Sequence, residues 1–199
     1  MYPSKADVNG IEYDLNTSWQ NALECLKIVN DETICDEERA LAIIYKIFGF
    51  IPDDNIDNFL DKAILFLQCG ETTERQNSKE VDMDFEEDFK YINASFMSDY
   101  HIDLSVDDMH FWQFIYLIQG LTENCILSRI RNLRNFDLRE INDPKERRKI
   151  ADAQQQVGLK SKVKISEKQK QSQNKFFKLA KIERWKYGWC YKNRNTNRW

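Results

Sequence analysis

Two histidines, five cysteines and several runs of carboxylates are the groups in this 199-residue chain suited to catalysis or metal binding, and their spacing decides what each can do. His110 lies in the apolar stretch from Met109 to Ile118. A base at that position serving Cys125 or Ser128 would need a third group to orient its ring. The sequence offers none, and a helix-edge histidine with a satisfied hydrogen bond is the plainer expectation; His101 has no motif around it. No GxSxG, P-loop, dinucleotide fingerprint, HExxH or CxxC pattern occurs. Cys25, Cys35, Cys69, Cys125 and Cys190 are odd in number and widely separated, which suits thiols in a reducing compartment better than a disulfide framework. Asp53-x-Asn55-x-Asp57 mimics the first ligands of an EF-hand loop, but Asn58 stands where glycine is needed and Ile64 where a bidentate glutamate is needed. Asp103-x-Ser105-x-Asp107 fails at Phe114 in the same way. Asp82, Asp84, Glu86, Glu87 and Asp88 form the densest acid cluster. At the start of a helix beside a polar loop they read as surface charges complementing the helix dipole, not as a desolvated acid pair. The expectation is a protein that is not an enzyme and has no metal and no cofactor.

The sharper chemistry is at the C-terminal end. Residues 160–199 hold 13 lysines and arginines against Glu167 and Glu183. Seven aromatics are interleaved with them: Phe176, Phe177, Trp185, Tyr187, Trp189, Tyr191 and Trp199. Phe176, Leu179, Ile182, Trp185 and Trp189 are spaced 3, 3, 3 and 4, one face of a helix. Three uses fit this pattern. The aromatic face can pack on the chain's own acidic body, dock on another acidic, grooved protein, or bind nucleic acid through phosphate contacts and stacking. The body is acidic: residues 1–140 carry 12 basic against 28 acidic side chains. No RRM, helix-turn-helix or zinc-finger pattern supports the nucleic-acid use, which is the least favoured.

The elements that would position these groups are helices. Six glycines and three prolines are too few for the turns of a sandwich or barrel. Residues 1–16 read as an irregular leader. Thr17 or Ser18 caps a helix with Trp19, Ala22, Leu23, Leu26 and Val29 inward, and Asp36 opens a second that Gly49 and Pro52 stop. That second helix is apolar nearly all round. A third runs from about Ile56 to Gly70, and residues 71–82 form a polar loop. A fourth runs from about Asp84 to Tyr100, with a stripe of Phe85, Phe89, Ile92, Phe96 and Tyr100. Ser105 and Asp108 resemble a capping box for a fifth, which is apolar on every face and should be the central helix of the core. Thr122 caps a sixth, with Ile126, Ile130 and Leu133 inward and Arg129, Arg131 and Arg134 outward; Asp143-Pro144 opens a seventh, which Gly158 ends. The predicted fold is all-α: a six- to seven-helix bundle over residues 17–157, followed by a basic, aromatic helical extension over residues 158–199. No stretch reaches the ~20 apolar residues of a membrane helix, and no basic-then-apolar leader marks a secretory signal.

Several segments together resemble a known family. They are Asp14-x-x-x-x-Trp19, Asp36-Glu37-Glu38-x-Ala40-Leu41 and Phe66-Leu67-x-Cys69-Gly70, then the run Asp84-Phe85-Glu86-x-Asp88-x-x-Tyr91-Ile92-x-Ala94-x-Phe96-x-x-x-Tyr100-x-Ile102-Asp103-Leu104, then His110-Phe111-Trp112-x-Phe114 and Leu117-x-x-Gly120-Leu121. Over residues 11–157 the chain resembles the bacteriophage gene-product-fifteen family of long-tailed phages and prophages of Gram-positive bacteria. The resemblance implies a protein similar to tail-assembly chaperones, which bind the tape-measure protein in the host cytoplasm, keep it soluble until tail-tube subunits polymerise around it, and are absent from the mature virion. It implies no catalytic or cofactor-binding residue. The expected partner is the tape-measure protein, with the tail-tube protein and further copies of the chain as additional candidates. Candidate contact residues are Phe176, Phe177, Trp185 and Trp189 in the extension, and Trp112 and Tyr116 in the body if they line a groove. The rival expectations are a structural tail or connector protein of the virion, and a nucleic-acid-binding accessory protein.

Overall fold

A computed structural model describes residues 2–31, 33–71 and 82–160 of the chain. The predicted residues Phe176, Phe177, Trp185 and Trp189, and most of the predicted 71–82 loop, lie outside the described residues. Helices dominate, as the scarcity of glycine and proline requires, and they fall into two compact units, one up to Glu71 and one from Asp82 to Lys160.

The first unit opens with a correction. Residues 1–16 are not an irregular leader: β1 (Lys5–Val8) and β2 (Ile11–Asp14) pair antiparallel, with Lys5 opposite Asp14 and Val8 opposite Ile11. Both strands alternate polar and apolar residues, so Ala6, Val8, Ile11 and Tyr13 share one face and the charged residues the other. Asn9 (φ 56°) and Gly10 (φ 85°) form the two-residue turn between them, the left-handed pair that matches the twist of a hairpin.

Three helices follow: α1 (Trp19–Asn30), α2 (Asp36–Phe48) and α3 (Ile56–Leu67). α1 packs on α2, α2 on α3, and α3 on β1. Ser18 holds the N-cap position of α1, but its hydroxyl bonds Gln20 instead of a helix N–H. α2 has the predicted limits, Asp36 and a left-handed Gly49 (φ 80°). It is one-sided, not apolar all round: Ile43, Ile44 and Ile47 are fully buried, whereas Tyr45 is exposed. Arg39 is buried on the same helix, its guanidinium donating to the carbonyls of Asp31 (2.7 Å) and Ile34 (3.2 Å). It thereby fixes the α1–α2 connection, whose backbone carbonyls would otherwise lack donors.

The four thiols among the described residues are free; Cys25, Cys69 and Cys125 are buried and Cys35 is exposed. Burial pushes the Cys25 thiol up to about 12. The thiolate is the nucleophile, so iodoacetamide at pH 8 should label Cys35 in the native protein and Cys25 only after denaturation. Equal labelling of the two by mass spectrometry would contradict this burial.

The second unit contains α4 (Phe89–Tyr100), α5 (Phe111–Gln119), α6 (Ile126–Asn135), a 3-10 turn (Leu138–Glu140) and α7 (Pro144–Val157). α6 is the hub, packing on both α4 and α7. Three boundaries differ from expectation because short polar side chains close local turns before the helices begin. The Asp84 carboxylate accepts from the N–H groups of Glu86 and Glu87 at 2.8 and 2.9 Å, so α4 starts at Phe89. The Asp103 carboxylate accepts from the N–H and hydroxyl of Ser105 at 3.0 and 2.6 Å, so the Ser105–Asp108 capping box does not form. Thr122 gives its N–H and hydroxyl to Asp99, both at 2.9 Å, and Cys125 becomes the N-cap of α6.

Candidate partner-binding surface

Helix α5 is where apolar sequence and exposure disagree. Between Phe111 and Ile118 it carries one polar residue, Gln113. It is not the central core helix: Phe111, Phe114 and Ile118 face inward, Trp112, Ile115 and Leu117 are half-buried, and Tyr116 is 42% exposed. Phe114 stacks on Phe96 of α4 at 5.6 Å and lies 6.0 Å from Phe85. Trp112 and Tyr116, four residues apart, therefore share one helical face outside that ring cluster.

Both ends of α5 are fixed. His110 is its N-cap, not an internal residue; its Nδ1 accepts from the Trp112 N–H at 3.1 Å, and its ring stands edge-on to the indole. At the other end the Tyr100 hydroxyl donates to the Leu117 carbonyl at 2.9 Å. A Cβ at Gly120 would lie 3.0 Å from that hydroxyl and 3.3 Å from the Tyr116 carbonyl, so a larger residue there would crowd the exit of α5. The aromatic face of α5 is thus held by groups that belong to the motif running from Asp84 to Leu121.

The same motif builds the polar core beneath. Asp88 is not a surface charge: its side chain is 1% exposed and accepts from the two terminal nitrogens of Arg134, at 2.6 and 2.7 Å. Arg134 is not outward either, being 4% exposed, and it also donates to the carbonyls of Val157 (2.7 Å) and Asp82 (2.8 Å). The Asp88 carboxylate raises the basicity of Arg134, burial acting in the opposite sense. Asp82 accepts from Arg131 Nε at 3.1 Å and from Asn135 at 3.0 Å. Ser95, fully buried, donates to the Tyr91 carbonyl and accepts from the Leu127 N–H at 3.0 Å. These anchors orient α6 so that Leu127 is buried, while the predicted Ile126 is exposed and Ile130 and Leu133 are half-buried. Glu87 accepts from the Lys160 N–H at 2.7 Å, so residues 161–199 continue from a point tied to the start of α4.

The other predicted groups are dispersed. Cys125 and Ser128 hydrogen-bond to each other, and among the described residues no hydrogen bond joins either to His110. Burial raises the Cys125 thiol, but hydrogen bonds from Ser128 and Ser95 outweigh it and hold the thiol below its ordinary value. His101 caps α4 in a left-handed conformation (φ 59°). Asp53, Asn55 and Asp57 are exposed at the start of α3, and among the described residues no three metal-ligating side chains come together. A shallow, open dent lined by Asp7, Asn9, Asn58, Asp61 and Lys62 lies where the hairpin meets α3.

Two hydrogen-bonded carboxylates of the second unit make stability acid-dependent. The Ser105 hydroxyl, with the Ser105 N–H and Asn93, holds the Asp103 carboxyl below the ordinary carboxylate value, and Ser98 and Thr122 do the same for Asp99. A carboxyl depressed in the folded state contributes above its unfolded pKa, and the contribution is lost as pH falls through the folded one. The urea midpoint should therefore be flat from pH 7 to about 5 and fall below about pH 4. Asp103→Asn should flatten that acid limb; an unchanged limb would contradict the assignment.

The model of the family described as Bacteriophage Gp15 protein matches residues 2–159. No curated protein and no solved structure matches.

Proposed function

The chain belongs to the bacteriophage Gp15 protein family, which makes it a phage structural or morphogenesis protein, and from that premise we propose that it is a tail-assembly chaperone. In this reading it works in the host bacterial cytoplasm, has no catalytic role, binds the phage's tape-measure protein and leaves before the virion is complete. A tape-measure protein is a long helical chain whose apolar stripes stay uncovered until the tube forms, and such stripes aggregate.

The observation that carries the reading is α5. An apolar helix with Tyr116 exposed and Trp112 half-buried, held at both ends by His110 and Tyr100, presents two rigid aromatic anchors to an amphipathic helix. Residues 82–160 carry 15 acidic against 10 basic side chains, so the unit that bears α5 is itself net negative, which favours solubility.

Co-expression of the full chain with the tape-measure protein tests this, scored by soluble yield and co-purification. The wild type should retain the client. Tyr116→Glu puts a charge on the apolar face and should lower retention at least about tenfold, the loss of one aromatic hot spot. Trp185→Ala/Trp189→Ala asks whether the C-terminal segment contributes as well. An insoluble tape-measure protein in the presence of the wild-type chain would refute the reading.

A further inference from the structure

The first unit carries a surface that α5 does not explain. Tyr13, Phe48, Phe50 and Phe59 form a four-ring cluster where β2, the end of α2 and α3 meet, with all six centroid separations between 5.0 and 6.4 Å. Phe59 is buried, but the cluster is open on one side: Phe50 is 38% exposed, and the adjoining Ile51 and Ile56 are 53% and 37% exposed. The turn that carries Phe50 and Ile51 also carries Asp53 and Asp54, and Asp57 lies in the first turn of α3; all three are exposed. Among the described residues none of these three carboxylates is in an ion pair. An apolar patch with a rim of unpaired carboxylates selects for an occupant that is aromatic and cationic at once.

We infer that residues 161–199 of the same chain dock on this patch, with aromatic side chains on the Phe50–Ile51 surface and lysines and arginines against the aspartates. That segment has 12 basic against two acidic side chains and seven aromatics, whereas residues 1–71 have five basic against 14 acidic. Its 39 residues can span up to about 130 Å when extended. Tethering raises its local concentration to the millimolar range. A second copy using the same patch would bring like charges together at less than a Debye length of about 8 Å, and a nucleic acid would meet the same repulsion. The inference does not involve α5, so it fails or stands separately from the tape-measure reading.

Limited trypsinolysis of the full chain reads the docking directly, because the segment's 12 lysines and arginines are cleaved only in its undocked fraction. Cleavage within residues 161–199 should be at least about tenfold slower in the wild type than in Ile51→Glu or in the charge-reversed Asp53→Lys/Asp54→Lys. The protection should not depend on protein concentration and should weaken as salt is raised. The three altered positions are exposed, so both variants should fold, and the aspartate variant leaves every apolar contact in place. Equal cleavage rates in all three proteins would overturn the inference. So would protection that rises with protein concentration, which would assign the patch to a second copy.

Discussion

Arg134→Ala should cost the second unit about 3–5 kcal/mol, because it leaves a buried carboxylate with no cation. Asp88 is 1% exposed and its charge is matched by the bidentate guanidinium at 2.6 and 2.7 Å. Removing the arginine also frees the carbonyls of Val157 and Asp82, which α7 and the entry to α4 cannot satisfy themselves. The comparison that identifies the cause is the double replacement Asp88→Leu/Arg134→Met. Two apolar groups of similar volume need no charge compensation, and such swaps are often neutral or stabilising. The double variant should therefore recover most of the loss. Urea unfolding followed by amide exchange over residues 82–160 would register both. A double variant as unstable as the single one would mean that the backbone contacts of Arg134, not the charge pair, hold the unit together.

Phe59→Ala should cost the first unit a similar amount, about 3–5 kcal/mol. Phe59 is 4% exposed and lies 5.0 Å from both Tyr13 and Phe48 and 5.6 Å from Phe50. It is the ring on which hairpin, α2 and α3 converge, so truncation leaves a void bounded by three elements that cannot all collapse into it. Phe59→Leu, which keeps most of the volume, should cost about 1.5 kcal/mol or less. Amide exchange should rise in β2 and α3 and stay unchanged over residues 82–160. A small effect of the alanine variant would show that the other rings close the gap.

What was legible in the sequence follows from these contacts. Boundaries set by one residue's backbone preference were readable: Asp36 and Gly49 for α2, and the Asp143-Pro144 start and Gly158 end of α7. The hairpin had a signal that helix-directed reading passes over, Asn9-Gly10 between two polar–apolar alternations of four residues each. The face of α6 was not readable from apolar spacing, because its burial is set by polar anchors. The Leu127 N–H is held by Ser95 at one end and Arg134 by Asp88 at the other, seven residues apart on one side of the helix. A signal existed for Asp88, which falls four and eight residues before the buried Ile92 and Phe96 and so lies on the inward stripe of α4. An acid on that stripe demands a buried cation, and the arginines of α6 were the candidates.

The candidate surface was half legible. Trp112 and Tyr116 were recognisable as aromatic, but their exposure depends on Phe111, Phe114 and Ile118 taking the inward face, a choice fixed by the rings of Phe96 and Phe85 on another segment. The motif from Asp84 to Leu121 is also explained. Asp84 closes a turn, Asp88 pairs with Arg134, Asp103 shapes the entry to α5, and Tyr100 with Gly120 fixes its exit. The residues of the family resemblance between Asp84 and Leu121 are those that build the second unit and hold α5 in place.

The measurement that tests the central claim most directly is the copy number of this protein in purified phage particles, by quantitative mass spectrometry against the tape-measure and tail-tube proteins, with the infected-cell lysate as reference. A tail-assembly chaperone should be abundant in the lysate and fall below one copy per particle in the virion. A fixed, stoichiometric number of copies in every particle would contradict the account and make the chain a structural component of the tail.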